Sequence, residues 1–101
     1  MQDIKFPVSL KIEKKGKMVY FSQLDLSLTL KRALRRTDLP NYFTKGFRPH
    51  IKVSFKGALK LGEQGNLPLT FYFKKRVDPE KVIIKLNFEL PEGLKIKKPN
   101  E

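Results

Sequence analysis

The sequence holds a single histidine, His50, which closes the run Gly46-Phe47-Arg48-Pro49-His50. An imidazole titrates near neutrality and can act as a general base, and beside Arg48 the chemistry it would suit is phosphodiester cleavage. A general base needs a partner acid or an oriented nucleophile, and a metal site needs several ligands. The chain has no cysteine and no second histidine, and its carboxylates show no ligand spacing. Glycine-rich phosphate loops, nucleophile elbows and dinucleotide fingerprints are also missing. We therefore expect no catalytic residue, no metal and no cofactor, and read His50 as part of a binding surface.

The stronger signal is cationic. Lys31, Arg32, Arg35 and Arg36 fall within six residues, and Lys45, Arg48 and Lys52 follow. Residues 21–60 carry nine Lys or Arg against Asp25 and Asp38, a net +7 of the chain's +12. Cations in the last turn of a helix favour its negative end, but four in six residues exceed that need. Guanidinium groups at this density can grip phosphates bidentately. Phe47, with Tyr42 and Phe43, could stack on unpaired bases. Phenylalanines also plug cores, and for Phe43 and Phe47 that is the expected role, with stacking second. The nucleic-acid-binding set read from the sequence is Lys31, Arg32, Arg35, Arg36, Lys45, Phe47, Arg48, His50 and Lys52.

These residues need a frame. Val8, Leu10 and Ile12 alternate with Ser9, Lys11 and Glu13 over residues 6 to 14, the period of a half-buried strand. A turn at Lys14-Lys15-Gly16-Lys17 leads to a short extended piece, residues 18–21. Ser22 and Asp25 open a helix in capping-box fashion, and Leu26, Leu30, Ala33 and Leu34 form its apolar stripe to Arg36. Residues 37–41 read as a loop, since Pro40 cannot continue the helix. Residues 42–44 read as a short edge strand, residues 50–55 as a second extension, and residues 56–66 as a mobile connection. Leu69, Phe71 and Phe73 alternate with Thr70 and Tyr72 in a further strand, residues 67–74. Asp78-Pro79-Glu80 is a helix start, and Val82, Ile83 and Leu86 face inward until about Phe88. Leu94 to Lys97 is the last strand.

The order strand, helix, strand, strand, helix, strand predicts an α+β fold, the ferredoxin-like plait (βαββαβ). It has a four-stranded antiparallel sheet with two helices on one face, as one domain over residues 1–101. Ser9, Lys11, Glu13, Thr70, Tyr72 and Lys74 would then lie on the open sheet face.

Composition bounds the partners. Twenty-two Lys or Arg face ten Asp or Glu, and the pI is near 10.1. Balanced ion-pair networks of the heat-adapted kind cannot account for this excess; a polyanion can. Nucleic acid is the commonest such partner and an anionic membrane surface the second. The N-terminus lacks the apolar run of a signal peptide, and no stretch approaches the roughly 18 apolar residues of a membrane span. With no cysteine, the expectation is a soluble cytoplasmic protein.

The runs Y-F-S-Q-L-D-L, L-K-R-A-L-R-R, L-P, G-F-R-P-H, I-K-V-S-F and L-K-L-G, across residues 10 to 62, resemble the radical-SAM-associated (radical-SAM-linked) domain of unknown function. The resemblance implies Ser22, Leu24, Asp25, Arg32, Arg35, Arg36, Gly46, Phe47, Pro49, His50, Ser54 and Gly62 as signature positions, without assigning them roles. Gln23 stands where the family usually has histidine, Ile51 interrupts its usual Pro-His-Pro, and Gln64-Gly65-Asn66 departs from its pattern after the last signature glycine. Family chains are typically longer, and this one resembles their first half. That implies a surface in need of cover, hence a homodimer or docking onto a radical-SAM enzyme. Charge and resemblance together give a small, non-catalytic RNA-binding module, accessory to RNA modification or processing. The alternative is a protein-interaction or substrate-presenting partner of a radical-SAM enzyme, with no nucleic acid and no membrane involved.

Overall fold

The computed structural model describes residues 4–100. Its elements are β1 (Phe6–Lys14), α1 (Gln23–Arg36), β2 (Val53–Phe55), β3 (Gly65–Phe73), α2 (Pro79–Glu89) and β4 (Leu94–Lys97). The four strands form one antiparallel sheet in the order β2-β3-β1-β4. This is the expected ferredoxin-like plait, with β1 and β3 at its centre. Among the described residues no helix is long and apolar enough to cross a membrane.

Alternation sets the two sheet faces. Leu10, Ile12, Leu69, Phe71, Phe73 and Ile96 are buried, while Ser9, Thr70 and Tyr72 sit between them on the other side. The helices close the buried face: Leu26, Leu30, Ala33 and Leu34 of α1 and Val82 and Leu86 of α2 join one core with the strands. Ser22 caps α1 as its sequence predicts. The Ser22 hydroxyl accepts the Asp25 N–H at 3.1 Å, and the Asp25 carboxylate accepts the Ser22 N–H at 3.1 Å, which satisfies two otherwise orphan donors. At α2 the Asp78 carboxylate accepts the Glu80 N–H, with Pro79 in the first turn.

Two local expectations are corrected. Residues 18–21 do not extend; Gly16–Tyr20 is a 3-10 turn. The Met18 N–H bonds the Lys15 carbonyl and the Phe21 N–H bonds the Met18 carbonyl, so the turn continues instead of releasing the chain. Below it lies Lys14, only 1% exposed, whose ammonium donates to the Phe21 carbonyl at 2.9 Å. This bond ties the end of β1 to the start of α1. The connection before β3 is also shorter than residues 56–66, since Gly65 and Asn66 already pair with Lys14 and Glu13. The Gly62 N–H bonds the Val19 carbonyl at 2.7 Å and so anchors the loop.

The β4 edge is closed at Ile96. The Asn87 side chain of α2 donates to the Ile96 carbonyl at 3.0 Å and accepts the Ile96 N–H at 2.7 Å. A peptide group left open on an edge strand would offer itself to another chain; here a helix side chain occupies it.

Candidate nucleic-acid interface

Beyond β2 the sheet continues as a hairpin over residues 41–52, although no regular strand forms at residues 42–44. Isolated bridges join Asn41 to Phe73 and Phe43 to Ile51. The Tyr42 N–H bonds the Tyr72 carbonyl at 3.2 Å, the Lys52 N–H the Tyr42 carbonyl at 2.9 Å, and the Thr44 N–H the His50 carbonyl at 2.8 Å. The Thr44 hydroxyl accepts the His50 N–H at 3.2 Å. These bonds hold residues 45–49 as a tip at the edge of the sheet. Gly46 bends the tip at φ 129°, and a Cβ there would meet nothing within 4 Å. The backbone conformation, not lack of space, therefore demands glycine.

The tip corrects the expected fate of the phenylalanines. Phe47 is 103% exposed and Phe43 41% exposed; neither fills the core. For Phe47 the reason is geometric: the tip lies past the last ladder pair, where the core formed by sheet and helices no longer reaches, whereas Phe43 bridges to the buried Ile51 at the margin of the core. Lys45, Arg48 and His50 are exposed with Phe47. The imidazole turns back on its own loop, with Nδ1 donating to the Arg48 carbonyl at 3.2 Å. No group of three His, Cys, Asp or Glu residues is placed to hold a metal among the described residues.

Lysines lie over the aromatic rings beside the hairpin. The Lys52 ammonium is 5.3 Å from the centre of the Tyr72 ring, Lys5 is 5.5 Å from Tyr42, and Lys74 is 5.6 Å from Phe43. All three fall within cation–π range. The sequence placed Tyr72 and Lys74 on the open face but gave no sign of these pairings, which arise only when the hairpin folds back along β3. Alternation also puts Lys95 and Lys97 of β4 on this face, opposite Glu13 and Lys11. Glu13 is the acid among them: Lys97 donates to it at 3.1 Å and Lys15 lies at 3.9 Å. The hydrogen bond from Lys97, aided by the surrounding lysines, holds the Glu13 carboxyl below its usual range. The Ser9 and Thr70 hydroxyls meet at 3.5 Å between the two basic ends.

The nine predicted contact residues do not form one patch. Lys45, Phe47, Arg48 and His50 sit on the tip, and Lys52 stands over Tyr72 on the open face. Lys31, Arg32, Arg35 and Arg36 lie on α1, in the helical layer that covers the opposite face. The two sets share one end of the molecule, where the Asn41 side chain at the hairpin base donates to the Leu34 carbonyl of α1 at 3.2 Å.

Several positions singled out by resemblance do structural work. Ser22 and Asp25 cap α1, and Gly62 anchors the loop to Val19. Gln23 donates to the Gly57 carbonyl at 3.2 Å and so ties α1 to the β2–β3 connection. Ser54 is exposed on the open face opposite Thr70, and Pro49 is exposed at the tip.

No curated protein and no solved structure was found to match the chain. A family described as "uncharacterized protein conserved in bacteria (DUF2344)" matches residues 8–101, which is nearly the whole of the sequence, and the chain belongs to that family.

Proposed function

We propose that this protein is a small basic RNA-binding module that serves RNA modification or processing. The observation that carries the reading is the lysine-covered rings of Tyr42 and Tyr72, under Lys5 and Lys52, with the exposed Phe47 and Arg48 at the tip beside them. Exposed cation–π pairs contribute about 0.5–1 kcal/mol, whereas a base stacked on an aromatic side chain contributes about 1–3 kcal/mol. A base can therefore displace a lysine from its ring, and the freed ammonium is left beside the phosphate next to that base. Rings on an open sheet suit unpaired bases better than a duplex, which favours single-stranded or looped RNA. The α1 arginines add to the field that draws the polyanion in.

Titrating the purified protein with labelled tRNA and single-stranded RNA, at rising salt, tests this. Binding that weakens steeply with salt, and is lost when Arg48 and Lys52 are both replaced by Glu, supports the reading. Absence of any salt-sensitive binding at low ionic strength refutes it.

A second reading follows from the resemblance in residues 10 to 62: an accessory that docks on a radical-SAM enzyme or presents its substrate. The exposed Leu24 and Leu28, one turn apart on α1, favour it. Purification from its host separates the two, since excess absorbance at 260 nm marks RNA and a stoichiometric enzyme marks the alternative.

A further inference from the structure

Register sorts the open face of the sheet into rows that cross the strands. One row holds Tyr72 and, joined to it by the bond from the Tyr42 N–H to the Tyr72 carbonyl, Tyr42. The next holds Ser9, Thr70 and Ser54, which stand opposite one another on β1, β3 and β2. The third holds Lys97, Lys11 and Pro68 in register, and Lys56, whose N–H bonds the Pro68 carbonyl at 2.9 Å. Among the described residues these three rows contain no carboxylate, and Glu13 belongs to the row beyond them. Residues two apart on a strand share a face, so successive rows lie about 7 Å apart. Rings, hydroxyls and ammonium groups thus follow one another along the sheet in the order of base, sugar and phosphate in a nucleotide.

We propose that the hydroxyl row reads the ribose 2′-hydroxyl, so that the open face takes single-stranded RNA in preference to DNA. The inference rests on the RNA-binding reading above and adds to it the residues that select the sugar. With a base on Tyr72 or Tyr42 and its phosphate toward the lysine row, the sugar between them lies over Thr70 and its neighbours. Serine and threonine hydroxyls both donate and accept, as the 2′-hydroxyl does. The Ser9 and Thr70 oxygens are 3.5 Å apart, long for a bond between hydroxyls, so neither fills the capacity of the other. Ser9 and Ser54 are exposed and within reach of a strand laid across the sheet. A deoxyribose would leave this row to water. A duplex keeps its bases stacked on one another and lays none on a ring.

The test titrates the purified full chain with a labelled oligouridine and with its deoxyuridine and 2′-fluoro counterparts, followed by fluorescence anisotropy at low salt. The ribo strand should bind at least about fivefold tighter than either, the gain that one or two ordinary hydrogen bonds give. The 2′-fluoro sugar separates the hydroxyl from the pucker, because it keeps the pucker of ribose and lacks the donor. Ser9→Ala, Thr70→Val and Ser54→Ala together should abolish the preference. Ser54→Ala alone should lower it, and Ser54→Thr, which keeps the hydroxyl, should retain it. All strands are titrated against the same preparation, so any unfolded fraction cancels from the ratio. Salt-sensitive binding of the ribo and deoxy strands with equal affinity overturns this inference and leaves the phosphate-and-stacking reading standing. No binding of any strand overturns that reading and this one with it. A 2′-fluoro strand bound as tightly as the ribo strand, or a preference that survives the triple variant, also overturns the inference.

Discussion

Gly93 gives the sharpest test of the packing that holds the sheet together. It lies between α2 and β4 at φ 98°, and its carbonyl accepts the Lys15 N–H at 2.9 Å. A Cβ on this residue would lie 2.7 Å from the Lys15 carbonyl oxygen and 2.7 Å from Cγ of Met18. Gly93→Ala therefore meets two penalties. Forcing an L-residue to positive φ costs about 1–2 kcal/mol, and overpacking against backbone that cannot swing away adds about 1–3 kcal/mol. The total, about 2–5 kcal/mol, is a large share of what a domain of this size holds. At roughly 4–8 °C per kcal/mol, the melting temperature should fall by at least about 8 °C. Gly46→Ala is the control, since it shares the positive φ, at 129°, but has nothing within 4 Å of the added carbon. Its tip lies outside the core and can relax, so its loss should be the smaller of the two. Thermal and urea unfolding of both variants decides the matter. A Gly93→Ala protein as stable as Gly46→Ala would show that the contact between the 3-10 turn and the β4 entry is not as described.

Asn87→Ala removes the clamp on both peptide groups of Ile96 and should lower the urea-unfolding free energy by about 2 kcal/mol, toward the low end for unsatisfied, part-buried groups; unchanged stability would contradict the clamp. The acid limb of stability gives another check. Glu13 and Asp38 are held below their usual values of 4.5 and 3.8, first by hydrogen bonds from Lys97 and Lys85. A depressed folded-state value means the stability they contribute is complete above those pH values and is lost as pH falls through the folded values. Glu13→Gln with Asp38→Asn should flatten the dependence of unfolding free energy on pH below about 4.5, and parallel acid limbs would refute the pairing.

Much of the frame was legible in the sequence, because period and capping are local signals. The stripe Leu26, Leu30, Ala33 and Leu34 and the Ser22–Asp25 and Asp78–Pro79 starts stand where residue spacing put them. The strand order followed from the order of elements. The candidate site was less legible. The arginines of α1 and the residues of the tip are neighbours in sequence, but the loop through Pro40 carries the chain past the sheet edge and leaves them on different layers. Phe47 has the side chain of a core residue, and only the reach of the hairpin determines that nothing covers it. The lysine–ring pairs join residues 5 with 42 and 52 with 72, and no local pattern encodes contacts at such separations. Residues 18–21 look extended in sequence because a 3-10 turn as short as Gly16–Tyr20 has no periodicity to detect.

In the RNA-binding reading proposed above, the open face and the tip grip single-stranded RNA through phosphates and stacked bases. That reading is tested most directly by the slope of log affinity against log salt for a labelled single-stranded RNA, in the parent protein and in a Lys45→Glu, Arg48→Glu, Lys52→Glu variant. Each phosphate neutralised on a single strand contributes about −0.7 to that slope. The parent should therefore show a slope of about −2 or steeper, and the variant a slope shallower by about 2 with binding near the detection limit. A parent that binds with no salt dependence, or a variant that binds as the parent does, would contradict the account.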